Sequence, residues 1–544
     1  YDINNQPYEN GISIPNNLTR KKYIKKYWTT NIYTSYDFDI NEEHNFTILA
    51  GMQFERGDES WVQGYKTDLI SEKVPSFPTA TGDALLAEAL AHNATESYFA
   101  RLNYNYKEKY LFEANVRYDG SYVFRNGKRW GTFPSFSVGW NLYNESFWEN
   151  IEPYVNTLKV RASWGQLGNQ NISPYSDLEL IPISADKLNW IFNYGSTRPV
   201  GYTSGPNLVN RNLTWETATT TNVGMDLSFL NNRLSATVDW FERRTIDMVG
   251  PSQAMPGVLG TGVPKENNST LRTRGWEISL NWKHALENGL SYNLGISLYD
   301  YKSVVTKYFN PTGTLSTWYE GAEVGDIWGY TVNDLFRSQE DLDSYLSKVD
   351  MTHIAANWNT GDLKYEDINH DGKVNNGTNT IGNHGDLSVI GNDQPHYQYT
   401  INGGVSYKGF DFSMLWRGVA KKDMYFYRGS NIYWGFMGGW WESCLTPEHL
   451  DYFRDQPGSK YSGLYEGDAN INTDAYWPRP YLNNTEEAKN KNHANTRYLQ
   501  NAAYLRLQNV QLGYSFPRSI TSKMHLEKLR IYFSGENLFC LLYT

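Results

Sequence analysis

Cysteine is almost missing. Two occur in 544 residues, Cys444 and Cys540, and no CxxC pair exists. That excludes zinc-ribbon and dithiol redox motifs. Long apolar runs are missing too. No stretch approaches eighteen consecutive apolar residues, which excludes a transmembrane helix. Charge is sparse at 20% of residues, and the balance is acidic, with a net charge of -10 and a pI near 5.6. Nucleic-acid binders need basic patches, so that class is set aside. The acidic residues are spread out and read as solubilising. Catalytic signatures are lacking: no HExxH, no GxSxG, no Walker loop and no dinucleotide fingerprint. The ten histidines are scattered, and no carboxylate pair stands out as glycosidase machinery.

Aromatic residues are abundant instead: 42 Tyr, 19 Trp and 23 Phe. Yet the mean hydropathy is only -0.61. Many aromatics with few charges and much Gly and Asn suit a wall that is apolar outside and polar inside. Such a wall spans a bilayer by alternation and needs no apolar helix.

The alternation is plain in residues 220–249. Val223, Met225, Leu227 and Phe229 alternate with Asn222, Asp226 and Ser228. Asn231, Asn232 and Arg233 break the run as a tight turn, because Asn tolerates left-handed backbone angles. Leu234, Ala236, Val238 and Trp240 then alternate with Ser235, Thr237 and Asp239. Each arm has about ten residues, the length of a tilted strand in a bilayer. The pattern recurs. Tyr98 to Tyr106 carries Arg101, Asn103 and Asn105 on one face, and Tyr110 to Tyr118 answers with Glu113, Asn115 and Arg117. Charges between apolar residues cannot sit in a dry core, but they can line a wet lumen.

Connection lengths sort by parity. Short ones follow Ile40, Tyr106, Phe229, His284 and Tyr407, with somewhat longer members after Leu142 and Phe516. Long ones follow Glu55, Asp119, Trp164, Arg244, Tyr301 and Val419. The long polar connections are expected over residues 56–96, 166–218, 245–272, 302–395 and 420–500. Outer-membrane barrels have short periplasmic turns and long extracellular loops, whereas a sandwich has no reason for this sorting. The expected class is therefore all-β: a large antiparallel transmembrane β-barrel, with about fourteen strands in this chain. Tyr106, Tyr110, Trp140 and Trp282 are expected at the interfacial girdles. The basic run Lys21, Lys22, Tyr23, Ile24, Lys25, Lys26 is expected to precede a strand and to meet lipopolysaccharide or solvent.

Several long segments resemble one family. They are NLTWETATTTNVGMDLSFLNNRLSATVDWFERRTIDMV (212–249), EGAEVGDIWGYTVNDLFRSQEDL (320–342), GDLKYEDINHDGKV (361–374), YLRLQNVQLGYSFP (504–517) and the GENLF at 535–539. KEKYLFEANVRYDGSYVF and FPSFSVGWNLYNESFW look like mid-barrel strands of the same family. The chain resembles the SusC/RagA-type TonB-dependent transporters of the Bacteroidetes outer membrane over essentially its whole length. The resemblance implies a barrel of about 22 strands closed by an N-terminal plug. It also implies TonB–ExbB–ExbD energy coupling through that plug, and a SusD-like surface lipoprotein as lid. Residues 1–544 then read as a partial barrel domain without plug, first strands or last strand. The chain opens at Tyr1 without an initiator Met and ends at Thr544 after an apolar run, as part of a longer protein would. The implied function is import of oligosaccharides or oligopeptides into the periplasm by a multi-pass outer-membrane protein, with the transporter–lid pair forming a dimer. The alternative is a passive pore without a plug, or a structural and adhesive surface barrel.

Two stretches carry candidate sites, and no cofactor is required by the motifs. Asp367, Asn369, Asp371, Lys373 and Asn375 have the spacing of a calcium loop: oxygen ligands at alternate positions, with Gly372 for the sharp turn. Lys373 would offer only its carbonyl. The closing bidentate Glu is missing, Thr378 stands in its place, and Asp386 is the substitute. The competing reading is a surface turn shaped by Asp, Asn and Gly. Tyr433, Trp434, Trp440 and Trp441, in the aromatic crowd of residues 425–441, are candidate ligand contacts, since aromatic faces stack on sugars and pack on peptides. The competing reading is packing inside a long loop, or contact with the lid protein.

Overall fold

The computed structural model describes residues 16–542, apart from 171, 174–175, 177, 180–182, 185–189, 193–199, 203–207, 254–261, 427–430, 438–444, 459–466 and 482–483. One antiparallel sheet of 14 strands dominates it. The first six are β1 (Asn17–Ile40), β2 (His44–Thr67), β3 (Ala84–Tyr106), β4 (Tyr110–Ser121), β5 (Trp130–Asn141) and β6 (Val155–Asn169). Then come β7 (Glu216–Phe229), β8 (Leu234–Pro251), β9 (Lys265–Ala285) and β10 (Ser291–Lys307). The last four are β11 (His396–Tyr407), β12 (Phe410–Lys421), β13 (Tyr504–Ser515) and β14 (Arg530–Leu542). Each pairs with the next in chain order, and β1 and β14 are the two edges among the described residues. Among the described residues no helix is long and apolar enough to cross a membrane.

Every turn from an odd to an even strand lies at one edge of this meander, and every even-to-odd connection lies at the other. The tightest turn is Lys408–Gly409, with φ of 48° and 90°. Positive φ at both central residues gives the twist a two-residue hairpin needs. A Cβ on Gly409 would lie 2.6 Å from the Ser515 carbonyl oxygen, so glycine is required there. In the β7–β8 hairpin the left-handed stretch is Leu230, Asn231 and Asn232, one residue earlier than the Asn-rich turn suggests. Asn156 pins it by accepting the Asn232 N–H at 3.0 Å.

Directly opposed residues of an antiparallel pair share a face. Val223 faces Trp240, Met225 faces Val238 and Leu227 faces Ala236. These make the outward surface, where Val223, Met225 and Trp240 are exposed to the bilayer side. At the short-turn edge the aromatics form a girdle. Tyr110 stacks between Tyr106 and Trp140, with centroids 6.2 Å apart on each side. Glu145 collects their polar ends, accepting Tyr110 Oη–H at 2.8 Å, Trp140 Nε1–H at 3.1 Å and Lys109 Nζ–H at 2.9 Å.

Strand ends differ from the sequence expectation. The connection expected over 56–96 is mostly strand: β1, β2 and β3 stay in unbroken register up to Asn17 opposite Thr67 and Lys66 opposite Ala84. Likewise β8 and β9 continue well into the loop expected over 245–272. The basic run lies inside β1 rather than before it. The physical reason is that alternation records the difference between lipid and lumen. Above the bilayer both faces meet water, so the period of two fades while the backbone ladder continues. Leu142, expected in a strand, sits in a short 3₁₀ turn.

Candidate functional site

The inner face of the wall is polar and cross-braced. Arg161 on β6 reaches across β7 to β8. Its guanidinium donates to Asp226 at 3.2 Å and to Asp239 at 2.6 Å. Gly224 opens the route, since a Cβ there would lie 2.8 Å from Arg161 Cζ and 2.5 Å from Asp239 Oδ1. Nearby, Arg101 donates to Asn115 at 2.8 Å, and Asn115 donates to Glu113 at 2.7 Å. These side chains border two adjoining concavities of about 560 and 680 Å³, with Lys159, Ser163 and Asn222 in the first and Phe99, Arg117 and Gln166 in the second. Charged residues at alternate positions are thus gathered on one concave face, the requirement for a wet passage.

At the long-loop edge, the segments after β10 and β12 fold together. Strand Asp326–Tyr330 pairs with Leu387–Asn392, Val332–Leu335 pairs with Leu363–Tyr365, and Asp423–Tyr425 pairs with Leu499–Asn501. Helix Gln339–Leu346 starts at Ser338, whose hydroxyl accepts the Asp341 N–H. The two segments are stitched by backbone bonds: Tyr330 N–H donates to the Ala494 carbonyl at 2.8 Å, and Thr496 N–H returns to the Tyr330 carbonyl at 3.0 Å. Their shared core contains Phe336, Leu363, Tyr365, Trp434, Phe453, Trp477 and Tyr498.

A buried polar knot ties this body from within. Asp362 and Lys489 are fully buried and pair at 2.8 Å. Asp362 also accepts Tyr481 Oη–H at 2.8 Å and Asn490 Nδ2–H at 2.9 Å. Lys489 donates to the Asn357 carbonyl at 2.9 Å and lies over the Tyr481 ring. Such a pair is tolerated because its remaining donors and acceptors are matched. Beside it, burial pushes the Glu487 carboxyl up to about 7, against the lowering effect of the Tyr481 N–H and the nearby lysines. Nothing in the sequence pattern singled out this knot; its members are isolated polar residues up to 132 positions apart.

The aromatic candidates divide. Trp434 is 2% exposed, and its Nε1–H donates to the Phe426 carbonyl at 3.0 Å. Its ring belongs to the loop core. Tyr433 is half-buried; its ring stacks on Phe426 at 4.5 Å and its hydroxyl meets Tyr476 Oη at 3.3 Å and Gln500 Nε2 at 2.9 Å. Burial pushes the Tyr433 phenol well up. Trp440 and Trp441 lie outside the described residues.

The calcium candidate is a closed turn. Asp367 accepts the N–H groups of Asp371 at 3.2 Å and Gly372 at 2.8 Å. Asn369 accepts the Asp371 N–H at 2.9 Å, and Asp371 accepts the Lys373 N–H at 2.9 Å. Asn375 Oδ1 accepts the Gly377 N–H at 2.7 Å. Asp386 is buried and clamps both ends, accepting Ile368 N–H at 2.9 Å and Asn375 N–H at 2.8 Å. Burial raises its carboxyl, and those N–H groups pull it back. Among the described residues no group of three or more His, Cys, Asp and Glu is arranged to hold a metal ion. The donors for calcium here would be Asp367, Asn369, Asp371, the Lys373 carbonyl and Asn375.

The model of the family described as TonB dependent receptor-like, beta-barrel matches residues 1–538. The chain belongs to this family. Its likeness is of SusC/RagA type, the family's members are outer-membrane transport receptors rather than enzymes, and the wall sits accordingly in the outer membrane. The chain is 26% identical over 519 residues to the TonB-dependent receptor SusC of Bacteroides thetaiotaomicron, covering 92% of this chain and 45% of SusC. It is 24% identical over 535 residues to TonB-dependent receptor P3 of Formosa agariphila, covering 94% of this chain and 48% of that receptor. The solved RagAB peptide transporter shares the fold with a TM-score of 0.74 at 20% identity, over 97% of this chain and 53% of that one. The chain thus spans about half the length of the relatives it matches.

Proposed function

We propose that this chain is the wall of an active importer. It passes oligosaccharides or oligopeptides into the periplasm, driven by TonB acting through a plug that closes the lumen. A SusD-like lipoprotein caps the long-loop edge. The observation that carries the reading is the division of labour in the sheet: a braced, charged inner face around Arg161, and at one edge a packed loop body with its own core. A passive pore has no need for so large a docking body at its mouth. The relative described as a peptide transporter supports the peptide class; the oligosaccharide class rests on the SusC-type resemblance. On this reading the half-buried Tyr433, with Trp440 and Trp441, contributes to ligand capture beneath the lid, while Trp434 packs in the loop core. The pair of transporter and lid would assemble as a dimer. Co-purification from native membrane tests the proposal. A surface lipoprotein and a bound oligomer should come with the chain; its recovery alone, with neither, contradicts the reading.

A further inference from the structure

The outward face of β1 does not end with the apolar band. Ile40, Tyr36, Ile32 and Trp28 are exposed on that face, and the same parity then continues through Lys26, Ile24, Lys22 and Arg20. A strand rises about 3.3 Å per residue and a barrel strand tilts by about 40°. Two residues therefore gain about 5 Å of height. Lys26 stands about 5 Å above Trp28, within the headgroup layer, and Lys22 about 15 Å above it, over that layer.

The two faces of this rising blade treat their cations differently. On the inward face Lys25 pairs with Glu59 at 2.6 Å, and Lys21 lies 3.9 Å above the Trp61 ring. On the outward face the register places Lys26 opposite Asp58 and Lys22 opposite Val62. Asp58 is held by Arg56 at 3.1 Å, and Glu88 lies beyond Val62 on β3. Arg20 is turned toward the Pro75 carbonyl at 3.2 Å and the Phe77 ring. Lys22 and Lys26 are exposed, with Ile24 between them and Leu90 two strands away on the same face. Cations flanking apolar side chains, directly above a lipid-facing band, complement a lipid whose anionic groups sit just over its acyl chains.

We propose that Lys22 and Lys26, with Ile24 between them, form a binding site for the phosphate groups of lipopolysaccharide in the outer leaflet. The site rests on the outer-membrane placement of the wall and not on the import reading. It is continuous with the membrane contact and takes its charge complementarity from two lysines that pair with no carboxylate among the described residues.

The test uses the native protein purified from outer membrane in mild detergent, titrated with purified lipopolysaccharide and read by native mass spectrometry. Lys22→Gln/Lys26→Gln removes the outward charges; Lys21→Gln/Lys25→Gln makes the same charge change on the inward face. The outward variant should bind lipopolysaccharide about tenfold more weakly, with the inward variant matching wild type. Enzymatically dephosphorylated lipopolysaccharide and phosphatidylglycerol should both bind wild type more weakly than the intact glycolipid. Equal binding by the two variants overturns the site, as does wild-type binding that ignores the phosphates. Phosphatidylglycerol binding as tightly as lipopolysaccharide reassigns the surface to general anionic lipid and also overturns it. Heat-modifiable migration confirms that both variants are folded before they are compared.

Discussion

At the residue scale, two side-chain environments make opposite demands. Glu487 is buried in the loop body, with its carboxyl raised to about 7 from an ordinary 4.5. The folded state keeps this proton between those values, where the unfolded chain has released it. Its contribution is therefore fully present below about pH 4.5 and is lost as pH rises to about 7. Glu487→Gln should raise thermal stability at pH 8 by an amount equivalent to about 1–3 kcal/mol, and the gap should close by pH 5. A gap that does not change with pH would show that the carboxyl is not the cause. The loop at Asp367 is the contrasting case. Its side-chain oxygens already accept backbone N–H bonds, and Asp386 closes it from outside. A turn satisfied in this way keeps its shape without an ion. Calorimetry should register no saturable heat at millimolar calcium; a saturable signal lost in Asp371→Asn would establish the calcium loop.

At the element scale, the strands inside the bilayer were legible and their extensions were not. Val223 to Trp240 alternates because lipid and lumen demand different side chains, and the register follows the alternation. Residues 84–91, with Leu85, Leu86 and Leu90 all exposed, show no such contrast, yet they pair with β2 in the same ladder. The candidate site was legible to a similar degree. The aromatic crowd drew attention to this loop, but which ring is buried depends on partners such as Trp477 and Tyr498, far along the chain. The knot around Asp362 left no local trace, because its groups meet only after both loops have folded. One strand offers a direct check on depth. Leu102 lies four residues above the girdle residue Tyr106 on β3, whereas Leu86 lies twenty above it. Leu102→Arg should cost about 2–4 kcal/mol and Leu86→Arg about 0–1 kcal/mol in barrel unfolding from lipid. Equal costs would refute the placement of the membrane boundary on this strand.

At the scale of the whole molecule, two bodies with different chemistry share one chain. The wall has little dry core; its stability lies in the fourteen-strand ladder and in the lipid outside it. The loop body has a dry aromatic core and an internal ion pair, as a soluble domain does. A rigid body of this kind at the mouth suits capture and docking, and a charged inner wall suits passage. On the import reading, TonB would supply the energy that joins the two. The measurement that bears most directly on this account is uptake by cells of labelled maltooligosaccharide and labelled oligopeptide mixtures, with TonB present and with TonB removed. Accumulation of at least one mixture that depends on this chain, and its fall to background without TonB, is the predicted result. Accumulation that persists unchanged without TonB would contradict active import and make the wall a passive pore.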